Sequence, residues 1–180
     1  MIDTKLILDF WFVQSTPNMW FKKSENFDEL LRTKFNKTIE ICLKVKIDEI
    51  LISSDSYLSN IIVLDQFTRN VFRNKPKAFQ GDQKALKLSK RAIQNSFLKQ
   101  SKYHHNSFFL MPIMHSENIN DHKFGLPFFK KFTNENTYKY ALKHKKVIDK
   151  FSRFPHRNKI LGRKSSEVEL EFLKSSGSRF

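Results

Sequence analysis

Among 180 residues there is a single cysteine, Cys42, which excludes an internal disulfide framework and any multi-cysteine zinc or iron–sulfur site. Its place on an apolar helical face reads as a small hydrophobe. Glycine and proline are scarce, at four and five residues. A β-sandwich or barrel needs many tight turns, so neither fits, and nor does a low-complexity chain. No apolar run approaches the length of a membrane span. The start Met1-Ile2-Asp3-Thr4-Lys5 carries an early acid and no small-residue cleavage site follows, unlike a signal peptide. These absences point to a soluble cytoplasmic protein with no membrane partner. Acidic residues are also few, 18 against 33 Lys and Arg, for a net charge of +15.

Such an excess suggests nucleic acid or an anionic surface. Its make-up tempers that reading. Lys is scattered from Lys5 to Lys174, and Asn and Ile are abundant too, as in chains encoded by AT-rich genomes. Arg behaves differently. Arg69, Arg73, Arg153, Arg157 and Arg163 fall in two short segments. A guanidinium is a planar fork that binds carboxylate or phosphate through two parallel hydrogen bonds, which an ammonium cannot do.

At this length one domain with a sizeable core is expected. The apolar fraction is 39%, but 19 Phe and two Trp carry large burial area per residue. Apolar residues recur every three or four positions along most of the chain. The pattern predicts helices from Asp3 to Val13, Asn26 to Leu43, Ser56 to Arg69, Asp82 to Asn95, Ser116 to Phe132 and Asn136 to Phe151. Gln14 to Met19, Val45 to Ser56 and His104-His105 read as loops, and Phe108 to Met114 as a helix kinked or ended by Pro112. Ser166-Glu167-Val168-Glu169 has the form of a capping box and opens a last helix to Leu173. The fold class is thus all-α, about seven helices in a single domain over 1–173, with a frayed tail over 174–180.

Three segments mix charge with aromatics more densely than a solvated helix face does. They are Leu64 to Arg73, continued by Ala78-Phe79 and Asp82; Phe109 to Glu117, continued by Asp121; and the loop Arg153-Phe154-Pro155-His156-Arg157-Asn158 with Gly162-Arg163. With Asp9-Phe10-Trp11-Phe12, Trp20-Phe21 and Phe27-Asp28, these motifs run in order over nearly the whole chain. In them the chain resembles the DUF924 family, bacterial-type proteins of uncharacterised function. That resemblance implies an all-helical fold similar to tetratricopeptide superhelices and implies no established activity. Thr68 stands where the family pattern favours Pro, Ser152 where it favours Gly, and His122 where it favours Gln.

The Arg-rich segments admit two readings. One is a structural network in which these Arg pair with Asp9, Asp65, Asp82, Glu117 and Asp121. The other is an anion pocket with some guanidiniums left for a ligand. The pocket reading takes Asp65, His115, Glu117 and His156 as acid–base residues. It takes Trp20, Arg69, Asn70, Arg73, Asp82, Arg153, Arg157, Asn158 and Arg163 as ligand contacts. The expected partner is a small anionic molecule. A protein partner on a helical scaffold and a nucleic acid rank below it. No cofactor is expected. A divalent metal on His115, Glu117, Asp121 and His122 is the weaker alternative, because no established ligand spacing is present.

Overall fold

Asp3 opens the first helix by accepting the Leu6 N–H at 2.9 Å. A computed structural model describes residues 2–175 and 177–178. In it α1 (Thr4–Asp9) runs on as a π-helical segment, Phe10–Gln14. Pro17 then starts a short helix α2 (Pro17–Phe21). Gln14 to Met19 is therefore only partly a loop. Proline lacks an N–H, but the first helical position has no intrahelical use for one. Ser24 caps α3 (Glu25–Lys44) by accepting the Phe27 N–H, two residues before the expected Asn26. Ser53 caps α4, which has three parts: an α-helical stretch Ser54–Ile61, a π-helical stretch Ile62–Phe67 and a last α-turn Thr68–Val71.

The remaining helices are α5 (Asp82–Gln94), α6 (Tyr103–Met114), α7 (Ile119–Phe132), α8 (Glu135–Phe151) and α9 (Glu167–Lys174). His104 and His105 lie in the first turn of α6, not in a loop. Pro112 does not end that helix before Met114. A proline one turn from a helix end disturbs only the carbonyls one turn back, and one of these, Phe109 O, accepts a hydrogen bond from the buried Ser89 hydroxyl at 2.5 Å. Asn118 and Asn134, rather than Ser116 and Asn136, cap α7 and α8. The capping box of Ser166 and Glu169 opens α9 as expected. The chain is all-helical, with nine helices among the described residues. No helix there is long and apolar enough to cross a membrane.

Packing is mostly between neighbours: α1 on α4, α3 on the π-helical and last turns of α4, then α4 on α5, α5 on α6, α6 on α7 and α7 on α8. Trp11, Phe35, Phe67, Phe108 and Phe109 are buried at their centre. Phe35 lies 4.9 Å from Phe10 and 4.8 Å from Phe67 between ring centroids. Each such side chain contributes about 1.5–3 kcal/mol on burial.

Two local features position the polar segments. A Cβ at Gly81 would lie 2.2 Å from the Leu64 carbonyl oxygen. Glycine alone lets the start of α5 press on the π-helical stretch of α4, and this sets Asp82 beside Arg69. Ser152 ends α8 in the left-handed region at φ 57°. A β-carbon is disfavoured there, where glycine is at ease. Ser152→Gly is expected to raise the unfolding free energy by about 1 kcal/mol, read as a higher midpoint in urea; an unchanged midpoint would mean that the Ser152 side chain compensates the strain. The expected tail, 174–180, falls partly outside the described residues. Lys174 closes α9, and the buried Ser178 hydroxyl donates to Leu173 O at 3.2 Å.

Candidate functional site

Asp65 is the centre from which the site can be built. The π-helical turn of α4 carries it inward, and it is fully buried. Such turns occur often at functional sites, because the extra residue re-aims side chains. The Asp65 carboxylate accepts from His115 Nδ1 at 2.8 Å and Gln66 Nε2 at 2.5 Å, and Arg69 Nη1 lies 3.0 Å from it. Burial alone would raise its pKa, but Arg69 and His115 outweigh that and hold the carboxyl well below the usual carboxylate range. An ionised carboxylate only accepts, so Nδ1 of His115 must carry the proton. The other ring nitrogen, Nε2, is then the bare one, and it takes no hydrogen bond among the described residues. The side chain is 16% exposed. Burial, and the charges of Arg69 and Arg157, lower the His115 pKa despite Asp65, so the ring is neutral at pH 7.

Arg69 continues the network to Asp82, with Nη2 at 3.0 Å and Nη1 at 2.9 Å from its carboxylate. Arg157 completes it. Pro155 starts a 3-10 turn, Pro155–Arg157, that drives this guanidinium inward, where the residue is 6% exposed. It lies between the rings of Phe79 and Phe154, at 4.8 and 4.6 Å from their centroids. Its Nη2 donates to the His115 carbonyl at 3.0 Å, and its Nη1 reaches Asp82 at 3.3 Å. Its Nε is buried without a partner. Burial, then the nearby Arg69, push this group down to about 10, still protonated at neutral pH.

Next to it, Arg163 grips Glu117 through two bonds, 2.6 and 2.9 Å, and its Nε donates to Asn158 Oδ1. Glu117 also accepts the Phe154 N–H at 2.7 Å. Burial opposes ionisation of Glu117, but Arg163 and that N–H outweigh it and lower its pKa. His156 packs on Phe154 at 5.6 Å between centroids, and burial followed by Arg157 pushes its imidazole down to about 3. His144, on α8, lies 5.8 Å from His115 and 5.7 Å from Phe154.

The fold thus brings together Asp65, Arg69, Asp82, His115 and Arg157, with Glu117, His156, Asn158 and Arg163 alongside. Four expected members lie elsewhere. Arg73 forms a two-bond pair with Asp28 of α3, at 2.6 and 2.7 Å, and also donates to Asn70. Arg153 pairs in the same way with the buried Glu169 of α9. Trp20 stacks on Trp11 and donates to its carbonyl at 2.9 Å, inside the aromatic core. The acids also need correcting: Asp9 pairs with Lys5, and Asp121 with Lys90. The metal alternative loses its ligands to other partners. Glu117 is held by Arg163, Asp121 by Lys90 and Ser116, and His122 Nε2 by the Ser116 carbonyl. No grouping of three or more His, Cys, Asp or Glu suited to a metal ion occurs among the described residues.

Concavities of about 270 Å³ on α8, beside Tyr140 and Lys143, and of about 580 Å³ beside Arg153 and Glu169 both lie away from His115. The polar groups are packed, and most charges are paired. Phe79, in one of the segments dense in charge and aromatics, reads in sequence as a core ring; in the structure Arg69 and Arg157 both lie over it.

A comparison with curated proteins gives no match. Among solved structures, a protein of unknown function from Agrobacterium tumefaciens, ATU0120, is similar at a TM-score of 0.89 and 27% sequence identity, covering 96% of this chain and 97% of that one. The family model described as bacterial protein of unknown function (DUF924) matches residues 7–177. With the match spanning every element that builds the cluster, the chain belongs to the DUF924 family.

Proposed function

We propose that the cluster binds a small anionic ligand and that His115 moves a proton on it. The observation that carries this reading is the Asp65–His115 pair, which leaves a bare Nε2 in a cluster with a buried guanidinium whose Nε lacks a partner. A neutral imidazole held in one tautomer by a buried carboxylate is a general base at neutral pH. Arg157 is the group suited to the anion. Its contact with Asp82, at 3.3 Å, is the longest ion pair among the described residues. A carboxylate or phosphate that meets Nε and Nη2 in parallel has the side-on geometry Arg73 makes with Asp28, and leaves the Nη1 contact with Asp82 in place. Arg157 and Arg69 would then offset charge that develops as the proton leaves.

A thermal-shift screen over phosphorylated metabolites and small carboxylates tests this. A ligand at one hundred times its Kd stabilises the wild type by about 2.7 kcal/mol. The expected result is that Arg157→Ala abolishes the response to any ligand that shifts the wild type. His115→Ala should keep the binding response and lose any turnover of that ligand. An equal shift in Arg157→Ala, or no shift of the wild type by any member of the panel, overturns the reading.

A further inference from the structure

Two arginines outside the cluster show how this chain fills the Nε–Nη2 edge of a guanidinium. Arg73 sets that edge against both oxygens of Asp28, at 2.6 and 2.7 Å. Arg153 sets it against both oxygens of Glu169, at 2.7 and 2.8 Å. At Arg157 the same edge has no such occupant. Its Nε is buried and takes no partner, and among the described residues no other buried guanidinium nitrogen is left so. Its Nη2 carries two N–H groups and gives one to the His115 carbonyl. A buried donor left unmet is costly, so an added acceptor gains most at this edge.

We infer that the ligand of the cluster is a small carboxylate and not a phosphate, seated on the Nε–Nη2 edge of Arg157. This rests on the anion site proposed above and names the class of its occupant. Charge is the first ground. The ion pairs of the cluster already balance: Arg69, Arg157 and Arg163 meet Asp65, Asp82 and Glu117. A carboxylate adds one negative charge to that balance, and a doubly charged phosphate adds two. Each further uncompensated charge is more costly where water is excluded.

Shape is the second ground. A carboxylate has two oxygens, and one guanidinium edge meets both. A phosphate has further oxygens that need donors of their own. Around Arg157 they would find acceptors instead: the His115 carbonyl at 3.0 Å from Nη2, the Asp82 carboxylate at 3.3 Å from Nη1, and the bare Nε2 of His115. The other guanidiniums are in use, Arg69 on Asp65 and Asp82, and Arg163 on Glu117 and Asn158. Helix starts often hold phosphates, but the start of α5 already carries the acid Asp82. Arg157 lines neither of the concavities described above, so the occupant is small.

Saturation-transfer NMR on the full chain tests the inference, with the methyl signal of acetate as the probe. Acetate should receive saturation from the protein, and formate should displace it. Inorganic phosphate at pH 8, where it is doubly charged, should displace it about tenfold less well or worse. Arg157→Lys keeps the charge but removes the planar edge, and should lose the acetate signal. If that variant does not fold, the competition on the wild type decides alone. Phosphate that displaces acetate as well as formate does overturns the carboxylate assignment and leaves the anion site standing. So does a wild type that ignores acetate but melts higher with phosphate, when Arg157→Ala does not. An undiminished acetate signal in folded Arg157→Lys overturns the seat on Arg157. No response of the wild type to acetate, formate or phosphate removes the anion site itself, and the inference with it.

Discussion

Asp65→Ala is expected to lower the unfolding free energy by about 3–5 kcal/mol, the usual cost of removing one member of a buried ion pair. Asp65 is fully buried and faces Arg69, His115 and Gln66 at once. Without it, Arg69 keeps only Asp82 and the backbone carbonyl of residue 65, and the His115 N–H loses its acceptor inside the protein. Much of the loss is the penalty of the charge left behind, not the net worth of the pair. The double variant Asp65→Leu, Arg69→Met should therefore lose clearly less than the sum of the single changes. For a chain of this size each kcal/mol moves the melting temperature by about 2–4 °C, so the single variant should melt about 10 °C lower. A loss below about 1 kcal/mol would show that water takes over the role of the carboxylate. The same variant bears on catalysis. His115 would no longer be held in one tautomer, so any turnover should fall even under conditions where the variant is folded.

The second large effect is on stability in acid. Burial first, and then the neighbouring His115, hold the His144 imidazole down at about 3, and burial and Arg157 do the same to His156. His115 and His122 are lowered too, chiefly by burial. In the unfolded chain these rings titrate near 6.5. Between about 3 and 6.5 the unfolded state therefore binds more protons than the folded one, and stability rises with pH across that range. The contribution is fully present above about 6.5 and is lost as pH falls toward 3. The sign is the reverse of that for a histidine stabilised by a carboxylate. Each unit of displacement corresponds to about 1.4 kcal/mol, so His144 and His156 together make the loss several kcal/mol. Urea unfolding between pH 7.5 and 4.5 should show a steep fall in midpoint, and His144→Gln should flatten it. A midpoint independent of pH over that range would contradict the buried, neutral state of these rings.

These outcomes rest on a site that was only partly legible beforehand. The helices themselves were, because Phe27, Leu31, Phe35, Ile39 and Cys42 repeat at helical spacing and all become buried. The scarcity of Arg and its concentration in two segments point to a special role for Arg69 and Arg157, but not to their meeting, which only the fold supplies. Which carboxylate each would meet did not follow. Arg73 and Asp28 lie 45 positions apart, and only the packing of α3 on α4 brings them together. Trp20 reads as a ligand contact, because an aromatic beside charged residues looks the same in sequence whether it faces a ligand or a core. The π-helical stretches were invisible, because one added residue per turn does not break an apolar pattern that short.

An α-helix advances by about 100° per residue, and a π-turn holds one residue more than its α-helical counterpart. Deleting a single codon within Ile62–Phe67 would thus let the wide turn relax to an α-turn, with the later side chains of α4 keeping their directions. Inserting one there would instead swing them by that angle, and Arg69 would leave Asp82 and Arg73 would leave Asp28 in one step, although neither codon had changed. Point substitutions reach these contacts one at a time. In this stretch the gene tolerates a change of length in one direction only.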